Sequence, residues 1–180
     1  NSPMVYDEMR IRYHIPQERL ILIENGIDYS KYGASSATDK MSSRTQLSIK
    51  QDLTTILYIG SGFERKGAFE LVRAMQYLPN HQLLVVGSDK KIKHLERLSR
   101  SLDLSHRVHI LGPKNDVLPY LKAADIFCLP SLYDSLPNAL LEGLASGLPA
   151  VITADVGIAH KLVSHGAGVI TTRDPHHIAK

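Results

Sequence analysis

Thr54-Thr55-Ile56-Leu57-Tyr58-Ile59-Gly60-Ser61-Gly62-Phe63-Glu64-Arg65-Lys66-Gly67 passes from a short apolar run, through a glycine-punctuated turn, into a stretch with helical spacing. A run of this length bounded by glycine reads as a strand buried on both faces. The apolar positions between Gly67 and Leu78 then recur at helical intervals. Strand, tight turn and helix together form the repeating unit of a parallel sheet.

The same unit repeats outward from this stretch. Strands are predicted at Leu20–Glu24, Thr54–Gly60, Gln82–Gly87, Arg107–Gly112, Asp125–Pro130, Pro149–Thr153 and Gly168–Thr171. Helices are predicted at Pro3–His14, Gly67–Leu78, Lys91–Leu102, Val117–Ala124, Pro137–Ser146 and Val156–His165. Ser2 is placed to cap the first helix, and Asn115 or Asp116 the turn that holds Val117. The polar segment Gly33–Gln51 reads as a surface connection with one short helix near Asp39–Leu47. Strands separated by helices pair in parallel through right-handed crossovers. The expected fold is therefore α/β, an open parallel sheet covered by helices on both faces. Ligands of such sheets bind beyond the carboxyl ends of the strands. The glycine- and charge-bearing segments Gly60–Gly67, Gly87–Lys91, Gly112–Asp116 and Pro130–Asn138 all follow strands.

Composition narrows the class. The chain has 180 residues, 43% of them apolar and 22% charged, which suits one globular domain and excludes disordered or collagen-like chains. No apolar run reaches the roughly 20 residues that span a bilayer. Cys128 is the lone cysteine, so an intrachain disulfide and a cysteine-rich zinc site are both excluded, and a reducing, cytoplasmic setting is expected. The net charge of +3 is spread over scattered residues, which argues against nucleic acid and favours a small anionic ligand. The chain starts at Asn1 and stops within a segment that reads as unfinished, so it is expected to be one domain, residues 1–180, of a larger polypeptide.

Two constellations could carry chemistry. In the first, Gly60–Gly67, the glycines of which Gly62 is one admit close approach of a ligand to the backbone, and Arg65 and Lys66 add two positive charges. A helix starting near Gly67 would offer free N–H groups to an anion. The spacing fits neither a P-loop nor a strict dinucleotide fingerprint. The alternative is a solvated basic pair in a turn. In the second, Asp134 and Glu142 lie eight positions apart around the start of a helix whose buried stripe is Leu140, Leu141, Leu144 and Leu148. Backbone N–H groups near Ser135, Leu136 and Asn138 would suit a diphosphate, and Glu142 the paired hydroxyls of a ribose. The alternative is that Asp134 and Ser135 only cap the helix and Glu142 is a surface acid.

These segments, in this order, resemble the C-terminal, nucleotide-binding lobe of a family 4 retaining glycosyltransferase of the GT-B fold, a Rossmann-like domain. The resemblance runs through Asn25-Gly26-Ile27-Asp28, Gly60–Gly67, Val85-Val86-Gly87-Ser88, Leu111–Asp116, and Asp134 to Glu142 leading into Ala145-Ser146-Gly147-Leu148-Pro149. Among subfamilies it is most similar to bacterial lipopolysaccharide core glucosyltransferases, through Arg65-Lys66-Gly67, Val86–Lys90 and Gly157-Ile158-Ala159-His160.

The resemblance implies that Arg65 and Lys66 hold the donor diphosphate, that Asp134 faces the donor sugar and that Glu142 binds the ribose. Backbone near Lys114 and Asn115 would meet the nucleobase, with Gly87 and Ser88 lining the same pocket. The implied reaction transfers a sugar, with retention of configuration, from a nucleotide sugar, expected to be a UDP-sugar, to a bacterial surface glycan or lipopolysaccharide core. The nucleotide sugar is a substrate and no cofactor is implied. The sequence has no Asp-x-Asp, so no metal requirement is expected. The acceptor, a glycan or lipid-linked molecule, would bind an N-terminal lobe absent from this chain, and the full-length enzyme would associate peripherally with the cytoplasmic face of the inner membrane. The isolated chain is expected to transfer no sugar. Asp134 stands where the family usually has Glu, and Pro137 where many members have Gly; His160, where many have Glu, is assigned no proton transfer. The other readings are a sugar-nucleotide epimerase-like or other non-transferring domain, a dinucleotide module and a pure interaction domain.

Overall fold

The computed structural model describes all 180 residues, Asn1–Lys180. Six parallel strands form one sheet: β1 Thr54–Ile59, β2 His81–Val86, β3 Val108–Gly112, β4 Ile126–Leu129, β5 Ala150–Thr153 and β6 Gly168–Thr171, in the order β3-β2-β1-β4-β5-β6. The helices are α1 Pro3–Arg12, α2 Ala37–Gln46, α3 Phe63–Lys66, α4 Ala68–Ala74, α5 Ile92–Ser101, α6 Leu118–Ala123, α7 Asn138–Ala145, α8 Ala159–Ser164 and α9 Pro175–Ile178. The sheet is wound from β1 towards β3 in one direction and from β4 towards β6 in the other. Right-handed crossovers then place α4 and α5 on one face and α6, α7 and α8 on the other, with α2 packed on α6 and α9 on α4. Burial on both faces explains the unbroken apolar strands: Leu57, Tyr58, Leu83, Leu84, Val85, Phe127, Leu129 and Ile152 are all inaccessible to solvent.

Six of the seven predicted strands are present. The seventh, Leu20–Glu24, is not one. It has strand composition, yet no neighbouring chain pairs with it, and its Ile21 and Ile23 side chains are 85% and 74% exposed. A strand needs a partner for its N–H and C=O groups, and this segment pairs with neither edge of the sheet, β3 or β6.

Three further expectations change. The helix predicted from Val156 starts at Ala159, because Val156 bridges to Asp134 and the Gly157 N–H donates to the Asp134 carbonyl at 2.9 Å. Leu140 of α7 and Leu148 beyond its end are buried, but Leu141 and Leu144 are half-buried and line an apolar groove of about 240 Å³ shared with Ile158 and Leu162 of the α8 region. The connection before β1 is more than surface. Helix α2 opens with a capping box between Ser36 and Asp39 and buries Arg44. The Arg44 guanidinium donates to Ala123 O at 3.0 Å, Gln51 O at 2.8 Å and Asp125 Oδ2 at 2.5 Å, and Lys40 reaches Asp125 Oδ1 at 2.6 Å. Asp125 also accepts the Thr55 N–H at 2.7 Å, which fastens α2 to the start of β1.

Candidate functional site

Strands β1 and β4 are neighbours from which the chain winds away in opposite directions, so a crevice opens between their carboxyl ends. Arg65 and Lys66 follow β1, and Asp134 follows β4. The Lys66 Nζ lies 2.9 Å from Asp134 Oδ2, with only 15% and 12% of the two side chains exposed, and Arg65 stands 3.9 Å from the same oxygen. Asp134 does not cap α7, which has no side-chain cap, so the capping alternative is removed for this residue.

The two loops are locked together. The Leu132 N–H donates to Arg65 O at 2.7 Å, and the Arg65 guanidinium donates to the Tyr133 carbonyl. Gly67 makes this approach possible, since a Cβ there would stand 2.2 Å from Pro130 O, and its φ of +81° is left-handed. Gly87, at the end of β2, allows a second close approach, where a Cβ would meet Gly60 O at 1.9 Å. Ser88 joins Gly62, Glu64, Arg65, Asp89, Lys90 and Lys91 around an open polar cavity of about 550 Å³, which Gly87 itself does not line.

The turn after β1 differs from the expectation in one respect. A separate one-turn helix, α3, precedes α4, and the Phe63 N–H at its start donates to Asp89 Oδ2 at 2.8 Å. Besides its two cationic side chains, this turn offers an anion the amides of Glu64 and Arg65, which donate to no protein acceptor. At the start of α7 the amides of Ser135, Leu136 and Asn138 donate to no protein acceptor. Eight residues of helix lie behind them, with the positive end of the helix dipole at Asn138.

Sequence reasoning gave no role in the site to three neighbours. Asn25, in the turn after the unpaired Leu20–Glu24 segment, donates to Asn138 Oδ1 at 2.8 Å and Leu136 O at 3.1 Å, so it fixes the start of α7. Tyr32 is buried, and its hydroxyl faces Glu142; burial first, and then that carboxylate, raise the Tyr32 pKa. Asp89 is the third. Burial pushes its carboxyl upward, but the N–H groups of Lys91, Phe63 and Gly62 outweigh burial and hold it below the usual range. The Asn-Gly dipeptide and the Asp before a helix were the available signals; neither says which distant loop is touched. Lys114 and Asn115 are exposed on the loop after β3 and do not line the polar cavity. His160 is exposed. Cys128 is buried and its thiol is pushed up to about 12, so it is unreactive. No three His, Cys, Asp or Glu side chains are grouped to hold a metal ion, and no helix is long and apolar enough to cross a membrane.

Known proteins share this fold. The family model described as "Glycosyl transferases group 1" matches residues 39–180. The lipopolysaccharide glucosyltransferase WaaG of Escherichia coli K12 is 32% identical over 88% of the chain and 44% of its own length. A lipopolysaccharide core biosynthesis glycosyltransferase, LpsE of Rhizobium meliloti, is 33% identical over 63% of the chain and 34% of its own. The chain thus spans less than half the length of these curated relatives. Among solved structures, WaaG superposes with a TM-score of 0.88 at 25% identity, covering 99% of this chain and 50% of its own. Anabaena Alr3699/HepE in complex with UDP and glucose gives the same TM-score, identity and coverage.

Proposed function

The chain belongs to the group 1 glycosyl transferases, and from that premise we propose that it is the donor-binding lobe of a retaining enzyme that transfers a sugar from a UDP-sugar to a bacterial surface glycan or lipopolysaccharide core. The observation that carries the reading is the cationic pair Arg65 and Lys66 set against Asp134 at the switch point, beside the free amides that open α7. The solved Alr3699/HepE complexes with UDP and with UDP-glucose support UDP as the nucleotide, and WaaG and LpsE support the acceptor class.

The roles follow from charge. As the bond between the anomeric carbon and the diphosphate oxygen breaks, negative charge grows on the departing UDP, and a bond forms from the anomeric carbon to an acceptor hydroxyl oxygen, whose proton passes to the departing diphosphate. Lys66, Arg65 and the amides of Ser135, Leu136 and Asn138 are oriented to stabilise that charge before it develops, which lowers the barrier without reorganisation. Lys66 is held by Asp134. A donor diphosphate competes for the ammonium, and Asp134 turns to the sugar hydroxyls. Glu142, beside Tyr32, receives the ribose hydroxyls. Ser88 borders the pocket, and the Lys114–Asn115 loop closes on the base. With two protein cations on the diphosphate and no Asp-x-Asp in the sequence, the reaction needs no metal. The acceptor sits on the half of the enzyme that the relatives possess beyond this match, at the cytoplasmic face of the inner membrane, where lipid-linked glycans are built.

Calorimetric titration of the chain with UDP, GDP, ADP and NAD, each with and without magnesium, tests the reading. Selective binding of UDP that ignores magnesium is expected. Binding of NAD alone would refute it.

A further inference from the structure

Helix α3 is a single turn of four residues, Phe63–Lys66, and it carries both cations of the site. One isolated turn fixes three residues for one internal hydrogen bond and is unfavourable by itself. Its position must therefore be set by contacts from outside. Gly62, at the N-cap, has a left-handed φ of +78° and no side chain with which to cap the turn. The cap comes instead from another loop: Asp89, in the connection between β2 and α5, accepts the Phe63 N–H on Oδ2 at 2.8 Å. Its other oxygen, Oδ1, accepts the Lys91 N–H at 2.7 Å, a local turn that holds the carboxylate still. On the opposite side, the Leu132 N–H holds Arg65 O at 2.7 Å. The cation-bearing turn is thus clamped at its first residue by the loop after β2 and at its third by the loop after β4.

We infer that Asp89 is a positioning residue for the diphosphate site: by fixing Phe63 it aims Arg65 and Lys66 at the switch point. A role confined to starting α5 would need only the Lys91 contact; the bond to Phe63, across 26 residues of sequence, is the one that reaches the site. The carboxylate borders the same polar cavity as Arg65, Lys90 and Lys91, and Lys91 is itself paired with Glu64. This inference rests on the donor-binding reading, so its test separates the two.

NMR titration of the ¹⁵N-labelled 180-residue chain with UDP and with uridine, in the wild type and in D89A, D89N and K66A, supplies the test. Loss of a charge-assisted contact that orients two phosphate ligands is expected to weaken UDP binding to D89A by about tenfold. Uridine, which has no phosphate, should bind D89A as it binds the wild type, and the Phe63 and Arg65 amide resonances should move even without ligand. D89N retains the shape and one acceptor oxygen, falls between the two, and carries the test if D89A does not fold. Unchanged UDP affinity in D89A, or in D89N where that alone folds, overturns the role of Asp89. So does an equal loss for UDP and uridine, which would mark general damage. If K66A weakens UDP while the Asp89 variants do not, donor binding stands and the positioning role falls. A wild-type chain that binds no UDP removes both.

Discussion

Lys66 Nζ stands 2.9 Å from Asp134 Oδ2, joining the ends of β1 and β4 where the winding of the sheet reverses. The contact puts an acid against the cation that a diphosphate would want. Paired with each other, the two charges are neutralised out of water; in the donor complex the phosphate and the sugar would each take one of them.

The first prediction follows from that competition. Asp134→Asn removes a negative charge from beside the phosphate seat and releases Lys66. UDP should bind about threefold to fivefold more tightly, a gain of roughly 1 kcal/mol or less, whereas full-length enzyme carrying the change should lose sugar transfer. Calorimetry with UDP decides it, and a weaker complex would show that Asp134 supports the nucleotide.

Lys66→Ala should act the other way. One charge-assisted contact to phosphate is lost, so UDP affinity should drop by about 1.5–3 kcal/mol. The same change leaves the largely buried Asp134 without its close cation, and thermal unfolding should show a lower Tm at neutral pH. Unaltered UDP affinity would end the phosphate role.

Glu142→Gln keeps the size of the side chain and removes its charge. If Glu142 receives both ribose hydroxyls, affinity for UDP should fall more than affinity for 2′-deoxy-UDP. Equal losses would make Glu142 a partner of Tyr32 and nothing more.

The α2 anchor predicts a pH dependence. Burial raises the Asp125 pKa, but the bonds from Lys40 and Thr55 and the charge of Arg44 outweigh it, so the folded value lies below 3.8. A folded pKa below the unfolded one gives stability that is full above the unfolded value and lost as the pH falls through the folded value. Asp125→Asn should cost about 3 kcal/mol at pH 7, and the gap from wild type should narrow below about pH 4. Urea unfolding at about pH 7 and about pH 3 measures it; a constant gap would mean that the charge is not what anchors α2.

Gly67→Ala tests the locking of the two loops. A methyl 2.2 Å from Pro130 O, at a φ of +81°, forces the turn and the β4 loop apart. Loss of more than about 3 kcal/mol is expected, along with loss of UDP binding in whatever folded protein remains. A stable variant would show that the loops can separate freely.

Local chemistry was enough to read much of this protein. Apolar runs such as Thr54–Ile59 and Gln82–Val86 declare buried strands, because no other arrangement hides both faces of such a run. Their alternation with helices leaves a parallel sheet, and the turn bearing Arg65 and Lys66 shows its charge without any tertiary knowledge. What the sequence could not supply is anything that depends on which strand lies beside which. Leu20–Glu24 has strand composition, but pairing is a property of two segments and here no second segment lies alongside. Asp89 and Asn25 look like ordinary turn residues until the fold sets Phe63 and Asn138 within reach of them. Asp134 could have capped a helix; only the adjacency of β1 and β4, fixed by the crossovers of the whole chain, turns it towards Lys66.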